Sequence, residues 1–239
     1  MRFRRRHGAA VSLVLASHPL PALAFTGALT AAAALSGRPS RECALVAATV
    51  LVGRLTVGWM DDLVDRHRDR QVGRQDRPVA MGWVDPGTVA FAIAVATLAV
   101  VPLSVANGTY AGIAHLGAVA SAWLYHLWFK RTWLSWLPPA VGFGLLPAFL
   151  SYGGWGGGMH GGPPTIEVTV LAALLGIGVH VLAALPDLVE DRETGLRHLP
   201  LRIALRTGAT RLLWLASAYS LLVAGGLVWA VLQVGLLRW

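Results

Sequence analysis

The sequence predicts an all-α protein, a polytopic transmembrane helical bundle of about seven spans. Hydrophobic residues make up 55% of the 239 residues and charged residues only 13%, and the mean hydropathy is +0.58. A soluble domain of this size is far less apolar. The basic residues also fall into short clusters between long apolar runs, which is typical of membrane proteins. We therefore expect one transmembrane domain over residues 1–239, and the excess of 20 basic over 12 acidic residues does not indicate a nucleic-acid partner.

The first apolar run covers residues 9–35 and follows an arginine-rich start. A cleaved signal peptide is the alternative here, because residues 22–24 (Ala-Leu-Ala) imitate a cleavage site. Pro19 and Pro21 would interrupt the core of a signal peptide, and the run stays apolar well beyond the site, so a first transmembrane helix is favoured. A second span is predicted at residues 43–60, roughly 27 Å at the helical rise and long enough to cross the hydrocarbon core.

The remaining apolar runs predict five further spans, at about residues 87–106, 110–129, 133–152, 165–186 and 212–237. The glycine-rich stretch 153–164 contains no basic residue, and we predict that it is a flexible external loop. Cys43 is the single cysteine of the chain, which excludes an intrachain disulfide.

The distribution of Lys and Arg predicts the orientation of these spans. Sixteen of them lie at the N-terminus and in the loops after spans two, four and six, against three on the opposite side. The heavily basic side of a membrane protein is cytoplasmic. We therefore expect a multi-pass protein of a bacterial-type cell membrane, with its N-terminus and residues 61–86 and 187–210 in the cytoplasm.

A first acidic motif follows the second span directly. Asp62, Asp65 and Asp69 stand at i, i+3 and i+7, so a helical segment places all three carboxylates on one face. Carboxylates on one stripe repel each other, and a hard cation such as Mg2+ relieves that repulsion while leaving room for substrate phosphates. The nearby Arg74 and Arg77 are suited to bind the remaining phosphate oxygens.

A second acidic motif follows the sixth span. Asp187 and Asp191 stand at i and i+4, again on one helical face, with Gly195 one turn further on. Solvated loop charges are the alternative for either motif alone, but two such runs, each at the end of an apolar helix, favour a functional site. Because four crossings separate the two motifs, they are predicted to lie on the same side of the membrane.

The two motifs together predict a lipid-tailed substrate. Two carboxylate clusters at one membrane face can hold two Mg2+ ions and, with them, one diphosphate. The hydrocarbon tail of the substrate would then lie among the helices. The chemistry implied is metal-assisted departure of pyrophosphate, followed by capture of an allylic carbocation by a nucleophile.

These residues resemble the motifs of the UbiA-type intramembrane prenyltransferases. The first family motif, N-D-x-x-D-x-x-x-D, is matched by residues 61–69, with Asp61 in place of the usual Asn. The Arg-Pro pair at residues 77–78, with Gly82, is similar to the R-P-x-x-x-G continuation of that motif. The resemblance covers about residues 18–208.

The second family motif, D-x-x-x-D-x-x-x-G followed by T-L-P, is matched from Asp187 onward. Asp191 and Gly195 occupy the later motif positions, and the His-Leu-Pro at residues 198–200 follows with His198 in place of Thr. Tyr125 with the Lys-Arg pair at 130–131 is similar to the Tyr and Lys-Arg pair after the fourth helix of that family.

The resemblance implies Mg2+ as cofactor and a division of the site into three groups of residues. The metal ligands are Asp61, Asp62, Asp65, Asp69, Asp187 and Asp191, of which Asp62, Asp65 and Asp191 are catalytic. The diphosphate-binding residues are Arg74, Arg77, Lys130 and Arg131. The acceptor-binding residues are Arg54, His180 and Tyr125.

Two residues of the acceptor group have alternative roles. Arg54 is an ionisable residue inside a predicted span, which indicates a functional role. It matches a family Arg near the acceptor pocket, and a structural ion pair with Asp65 or with a neighbouring helix is the alternative. His180 lies seven residues before Asp187 and so shares its face; a hydrogen-bonded packing role is the alternative to lining the acceptor cavity.

The predicted function is prenyl transfer from an isoprenyl diphosphate to a small lipophilic acceptor, aromatic or quinone-like, within membrane lipid. A non-catalytic carrier of isoprenoid lipid, or an assembly protein, remains the alternative. The CDP-alcohol phosphotransferase class is excluded, because D-G-x-x-A-R does not occur in the chain. Family members usually have nine helices, so seven spans imply a thin cavity wall or one supplied by a second subunit of a homo-oligomer.

Overall fold

The computed structural model describes residues 8–154 and 161–234, and every regular element in those two ranges is a helix. The N-terminal arginines and half of the glycine-rich stretch lie outside the described residues. The helices are α1 (Ala9–Ala16), α2 (Pro19–Leu35), α3 (Ser40–Gln71), α4 (Pro86–Ala106), α5 (Thr109–Leu127), α6 (Leu137–Gly144), α7 (Leu146–Tyr152), α8 (Ile166–Ala184), α9 (Leu188–Glu193), α10 (Leu199–Thr207) and α11 (Ala209–Val234). The predicted all-α class is confirmed.

The helices belong to two compact units, Met1–Asn107 with α1 to α4 and Gly108–Trp239 with α5 to α11. In the first unit α3 packs against both α2 and α4. In the second unit α8 packs against both α6 and α11, and α5 packs against α6 and α7. The single domain expected over the whole chain stays a prediction.

Four described helical segments are long and apolar enough to cross a membrane: Ser40–Gln71, Pro86–Ala106, Ile166–Glu193 and Ala209–Gln233. The bent pair of α1 and α2 makes a fifth if it is counted as one span. Predicted spans four and five correspond to α5 and to Leu137–Tyr152, which are not among these four. The chain is therefore an integral membrane protein, and the count of seven spans stays a prediction.

The first predicted span is broken into two helices, which differs from the single helix expected. α1 and α2 meet at an angle of 56°, and His18 between them has the left-handed backbone angles φ 52° and ψ 65°. The residue before a proline is disfavoured in the right-handed helical region, and Pro19 begins α2 as a first-turn proline. The break is therefore encoded at the His-Pro step.

A glycine allows this break to pack against α3. A Cβ at Gly58 would collide with the backbone carbonyl of Ser17, so only glycine fits at that position. The next residue, Trp59, is buried and donates its indole N–H to the carbonyl of Leu13 over 2.8 Å. The break between α1 and α2 is thereby held one turn before the first acidic motif.

α3 continues through the first motif, where a loop was predicted from residue 61. It is 32 residues long, and Arg68 and Arg70 in its last turn favourably oppose the partial negative charge of the helix C-terminus. It ends at Gln71, and Gly73 two residues later has a left-handed φ of 75°. The amide of Arg74 donates to the carbonyl of Asp69 over 2.9 Å, the six-to-one bond of a Schellman C-cap. The first motif is therefore the last two turns of a long helix.

α8 is packed closely on two sides in the second unit. A Cβ at Gly176 would collide with the backbone carbonyl of Pro139 in the turn that begins α6. A Cβ at Gly178 would collide with the side chain of Ser220 on α11. The hydroxyl of Tyr219 donates to the carbonyl of Leu174 over 3.1 Å. These contacts fix the helix that leads into the second motif.

Candidate functional site

The three spaced carboxylates of the first motif lie on the buried face of α3. Asp62 is 0% exposed, Asp65 3% and Asp69 1%. Burying a carboxylate is costly unless hydrogen bonds, cations or metal ions compensate its charge. The partners of each carboxylate therefore indicate what this face of α3 is built to hold.

The loop that follows α3 returns to the motif. The amide of Val79 donates to Oδ2 of Asp62 over 3.0 Å, and Nε of Arg70 donates to the carbonyl of Ala80 over 3.0 Å. Val79 and Ala80 are both buried. The Arg-Pro segment recognised in the sequence is thus a cover over the motif, and it fixes the orientation of Asp62.

Two arginines compensate the other carboxylates. Nη2 of Arg68 lies 3.0 Å from Oδ2 of Asp65 and 3.6 Å from Oδ1 of Asp69. Arg77 lies 2.9 Å from Oδ2 of Asp61 through Nη1 and 3.6 Å from Oδ2 of Asp69 through Nε. Burial lowers the pKa of the Arg77 guanidinium, but the charges of Asp61 and Asp69 outweigh it and hold the pKa above its ordinary value. Arg77 therefore stays charged among the carboxylates.

Two carboxylate oxygens of the motif are buried without a hydrogen bond. They are Oδ1 of Asp62 and Oδ2 of Asp69. An unsatisfied buried oxygen is unusual and calls for a ligand or ion. Mg2+ takes oxygen ligands and is held in proteins by one or two carboxylates together with substrate phosphates. The donor set of α3 therefore fits Mg2+, although within the described ranges no three His, Cys, Asp or Glu side chains converge on one point.

His18 was not predicted as a site residue, and the structure places it at the first motif. Its Nε2 lies 2.6 Å from Nη1 of Arg77 and 3.7 Å from Oδ2 of Asp61. A guanidinium only donates, so Nε2 of His18 accepts from Arg77. The signal in the sequence was the His-Pro step itself, which does not reveal where the side chain points.

The second motif is anchored by a histidine. Asp191 is 5% exposed, and its Oδ2 lies 2.8 Å from Nε2 of His198, which is 2% exposed. Nδ1 of His198 accepts from the amide of Leu201 over 3.2 Å and so caps α10. Asp187 is half-buried at the end of a short 3₁₀ turn before α9. The His198 that departs from the family pattern is therefore a direct partner of the motif.

Ser135 is a second site residue that sequence reasoning missed. It is 0% exposed, and its Oγ accepts from the amide of Leu199 and lies 3.1 Å from Nε2 of His180. The ring of Tyr125 meets that of His180 edge to face at 5.3 Å. Tyr125 and His180, two of the three predicted acceptor-binding residues, thus contact each other. Ser135 links His180 to the start of α10 by hydrogen bonds.

The remaining predicted residues have varied surroundings. The guanidinium of Arg54 lies over the ring of Phe25 at 5.0 Å, and its buried Nε has no hydrogen bond. Arg74 forms two 3.0 Å hydrogen bonds with Asp76. Lys130 is half-buried and Arg131 is exposed in the 3₁₀ turn Phe129–Arg131. Their predicted roles in acceptor or diphosphate binding stay predictions.

Comparisons with known proteins agree with the motif analysis. Residues 20–239 match the model of the UbiA prenyltransferase family. No functionally curated protein matches the chain.

Solved structures of similar fold come from prenyltransferase-like proteins. A UbiA homolog from Archaeoglobus fulgidus bound to GPP and Mg2+ has a TM-score of 0.71 and 17% identity, over 93% of this chain and 78% of the homolog. The same homolog bound to DMAPP and Mg2+ has a TM-score of 0.67 and 18% identity, over 89% and 76% of the two chains. A structure of digeranylgeranylglyceryl phosphate synthase has a TM-score of 0.62 and 17% identity, over 90% and 77%.

Proposed function

The chain belongs to the UbiA prenyltransferase family, and on that premise we propose that it is a Mg2+-dependent intramembrane prenyltransferase. It moves an isoprenyl chain from an isoprenyl diphosphate to a small lipophilic acceptor, aromatic or quinone-like. The observation that carries this proposal is the pair of buried, unsatisfied carboxylate oxygens on Asp62 and Asp69 beside Arg77. The GPP and Mg2+ bound by the archaeal homolog support the choice of substrate class.

The first motif would hold metal and diphosphate by separate groups. Asp62 and Asp69 supply the free oxygens, with Asp65 and Asp61 as further ligands from the same helix. Arg77 already lies among these carboxylates, where its N–H groups would bind phosphate oxygens bidentately. When bound, Mg2+ stabilises the negative charge that develops on the departing pyrophosphate.

The second motif would supply the remaining ligands. Asp191 is buried and oriented by His198, and Asp187 precedes it by one turn. Asp62, Asp65 and Asp191 are the carboxylates to which we assign the catalytic role. Lys130, Arg131 and Arg74 are proposed to bind the diphosphate at its exposed edge.

The acceptor would be bound by residues that lie deeper in the helices. Arg54 sits two turns before Asp61 on α3, and its unsatisfied Nε supports binding of an acidic acceptor group. Tyr125 and His180 form an aromatic pair in the second unit that suits a planar acceptor. Excluding water around these residues would protect the carbocation from hydrolysis.

We further propose that both motifs face the cytoplasm. The support is the charge count, sixteen basic residues on the side of the motifs against three on the other. A water-soluble isoprenyl diphosphate made in the cytoplasm would then reach the site directly.

Asp62→Asn tests the function most directly. The substitution keeps the size of the side chain and its acceptor for the Val79 amide but removes the carboxylate charge that the metal requires. We expect Mg2+-dependent binding of GPP to weaken at least about 100-fold and release of pyrophosphate to stop. Equilibrium binding of radiolabelled GPP in detergent, with and without EDTA, gives the first result, and a coupled pyrophosphate assay gives the second.

The control is Asp76→Asn, whose carboxylate is 63% accessible to solvent and pairs with Arg74. It should bind GPP within about twofold of the wild type, since exposed pairs contribute little. Unchanged binding by Asp62→Asn would contradict the metal site. A wild-type chain that binds GPP but releases no pyrophosphate with any quinone or aromatic acceptor would be a carrier.

A further inference from the structure

We propose that His198 is a positioning residue for Asp191. Its Nε2–H donates a hydrogen bond to Oδ2 of Asp191 and holds that carboxylate in one rotamer, oriented to bind a divalent cation. The inference rests on the proposed function and assigns His198 a role that it exerts through Asp191. It stands on two contacts that constrain the same imidazole ring from opposite sides.

The first step concerns which nitrogen of His198 carries the proton. Nδ1 lies 3.2 Å from the amide nitrogen of Leu201, which can only donate, so Nδ1 accepts. A neutral imidazole with an accepting Nδ1 carries its proton on Nε2. Nε2 lies 2.8 Å from Oδ2 of Asp191 and therefore donates to that carboxylate. The helix cap thus selects the tautomer that the acidic motif needs.

The second step concerns how firmly the ring is held. His198 is 2% exposed and begins α10, whose Leu201 is also buried. The amide of the next residue, Leu199, donates to Oγ of Ser135, which is 0% exposed. The backbone that follows the imidazole is therefore fixed, which restricts the direction of its Nε2–H.

The third step concerns Asp191 itself. Its carbonyl accepts from the amide of Leu196 over 2.9 Å, in the turn that Gly195 makes with φ 76°. The backbone of Asp191 is thus fixed by the end of α9, and His198 fixes the side chain. Hydrogen bonds to carboxylate ligands orient them and tune metal affinity, and losing such a partner typically costs 10–100-fold.

A neutral donor suits this task because it orients the carboxylate without supplying a full opposite charge. The imidazole in this tautomer donates one hydrogen bond and brings no charge of its own.

The test separates the role of His198 as the N-cap of α10 from its role as a hydrogen-bond donor to Asp191. His198→Asn and His198→Thr keep a side-chain acceptor suited to an N-cap but are too short to reach Asp191. His198→Gln places an N–H donor at the end of a longer side chain but is a poor cap. His67→Asn, at an exposed position of α3, is the matched control.

The measurements are Mn2+ binding to the purified protein by electron paramagnetic resonance, the Mg2+ dependence of GPP binding, and the thermal midpoint in detergent. We expect the Asn and Thr variants, which keep the cap, to melt above the Gln variant and to need about tenfold more Mg2+ or Mn2+ than the wild type. The Gln variant should melt lower and yet keep the metal dependence of the wild type. His67→Asn should change neither quantity.

Three results would each contradict the positioning role of His198. Asn and Thr variants with the metal dependence of the wild type would overturn the positioning role and leave the proposed function intact. Metal affinity that falls in proportion to the thermal midpoint in all three variants would reduce His198 to a structural cap. A wild-type chain without metal-dependent GPP binding would overturn the proposed function and this role with it.

Discussion

The two acidic motifs share a backbone device and differ in how their charge is compensated. Asp69 and Asp191 each precede a left-handed glycine by four residues, Gly73 with φ 75° and Gly195 with φ 76°. Each aspartate carbonyl accepts the six-to-one bond of a Schellman cap over 2.9 Å. Both motifs therefore end a helix with the last carboxylate in its final turn.

The side-chain partners of the two motifs are unlike. The carboxylates of the first motif contact Arg68 and Arg77, whereas Asp191 in the second contacts His198. A fixed positive charge offsets the crowded carboxylate face of the first motif, whereas a neutral donor orients Asp191 in the second. A repeated backbone turn can thus present carboxylates that have different partners.

Cysteine labelling tests whether the two motifs face the same side of the membrane. This prediction has the largest expected effect, because each cysteine should be labelled from one side of the membrane and not from the other. In a Cys43→Ala background, single cysteines at Gln71 and Glu193, both exposed after their motifs, should react with an impermeant maleimide from the cytoplasmic side. A cysteine at Gly162 should react only from the opposite side. Inverted and right-side-out vesicles give the measurement. Labelling of Gln71 and Glu193 from opposite sides would contradict the prediction that both motifs face the cytoplasm.

Arg77→Ala should cause the largest loss of stability. It removes a buried cation that contacts Asp61 and Asp69, and breaking a buried ion pair in this way costs about 3–5 kcal/mol. Thermal unfolding in detergent measures the loss, and added Mg2+ should restore part of it by replacing the missing positive charge.

The control for that change is Arg74→Ala. Its partner Asp76 is exposed, so removal should cost less than about 1 kcal/mol. Equal stability of the two alanine variants would show that the first motif does not depend on its arginine, and the contrast with the second motif would be lost.

Gly73→Ala and Gly195→Ala should each have a smaller effect than Arg77→Ala, and the two effects should be similar. Each places a Cβ in the left-handed region at a cost of about 1–2 kcal/mol, while no neighbouring atom obstructs that Cβ. Gly162→Ala, which has neither a positive φ nor a close neighbour, should leave the thermal midpoint unchanged. A clear difference between the two motif variants would mean that the two helix ends are not equivalent.

The sequence predicted the carboxylates better than their partners. The spacing of Asp62, Asp65 and Asp69 places them on one face of any helix, because helical periodicity is a local property. The contacts of Arg77 with Asp61 and of His18 with Arg77 join residues 16 and 59 positions apart. No local pattern encodes such distances, so they emerge only from the folded chain.

The boundaries of the first two spans were predicted less well, for physical reasons. The charged residues predicted the end of the second span at residue 60. Arg is a good helix former and the i,i+3 pair of Asp65 and Arg68 supports a helix, so α3 continues to Gln71. The prolines in the first apolar run were identified from the sequence. The break that they produce at His18 packs against α3 only because Gly58 leaves space for the carbonyl of Ser17, and that contact is not visible in the sequence. The role of Ser135 gave no signal, since a serine before an apolar run is common.

α3 is longer than the apolar layer of a membrane is thick. Its 32 residues extend roughly 48 Å at the helical rise, against about 30 Å for the hydrocarbon core. The turns that carry the carboxylates therefore extend into the aqueous boundary. In the proposed reaction the two products then enter different phases, because pyrophosphate dissolves in water while the prenylated acceptor stays in lipid. This partitioning opposes the reverse reaction without requiring any moving part of the protein.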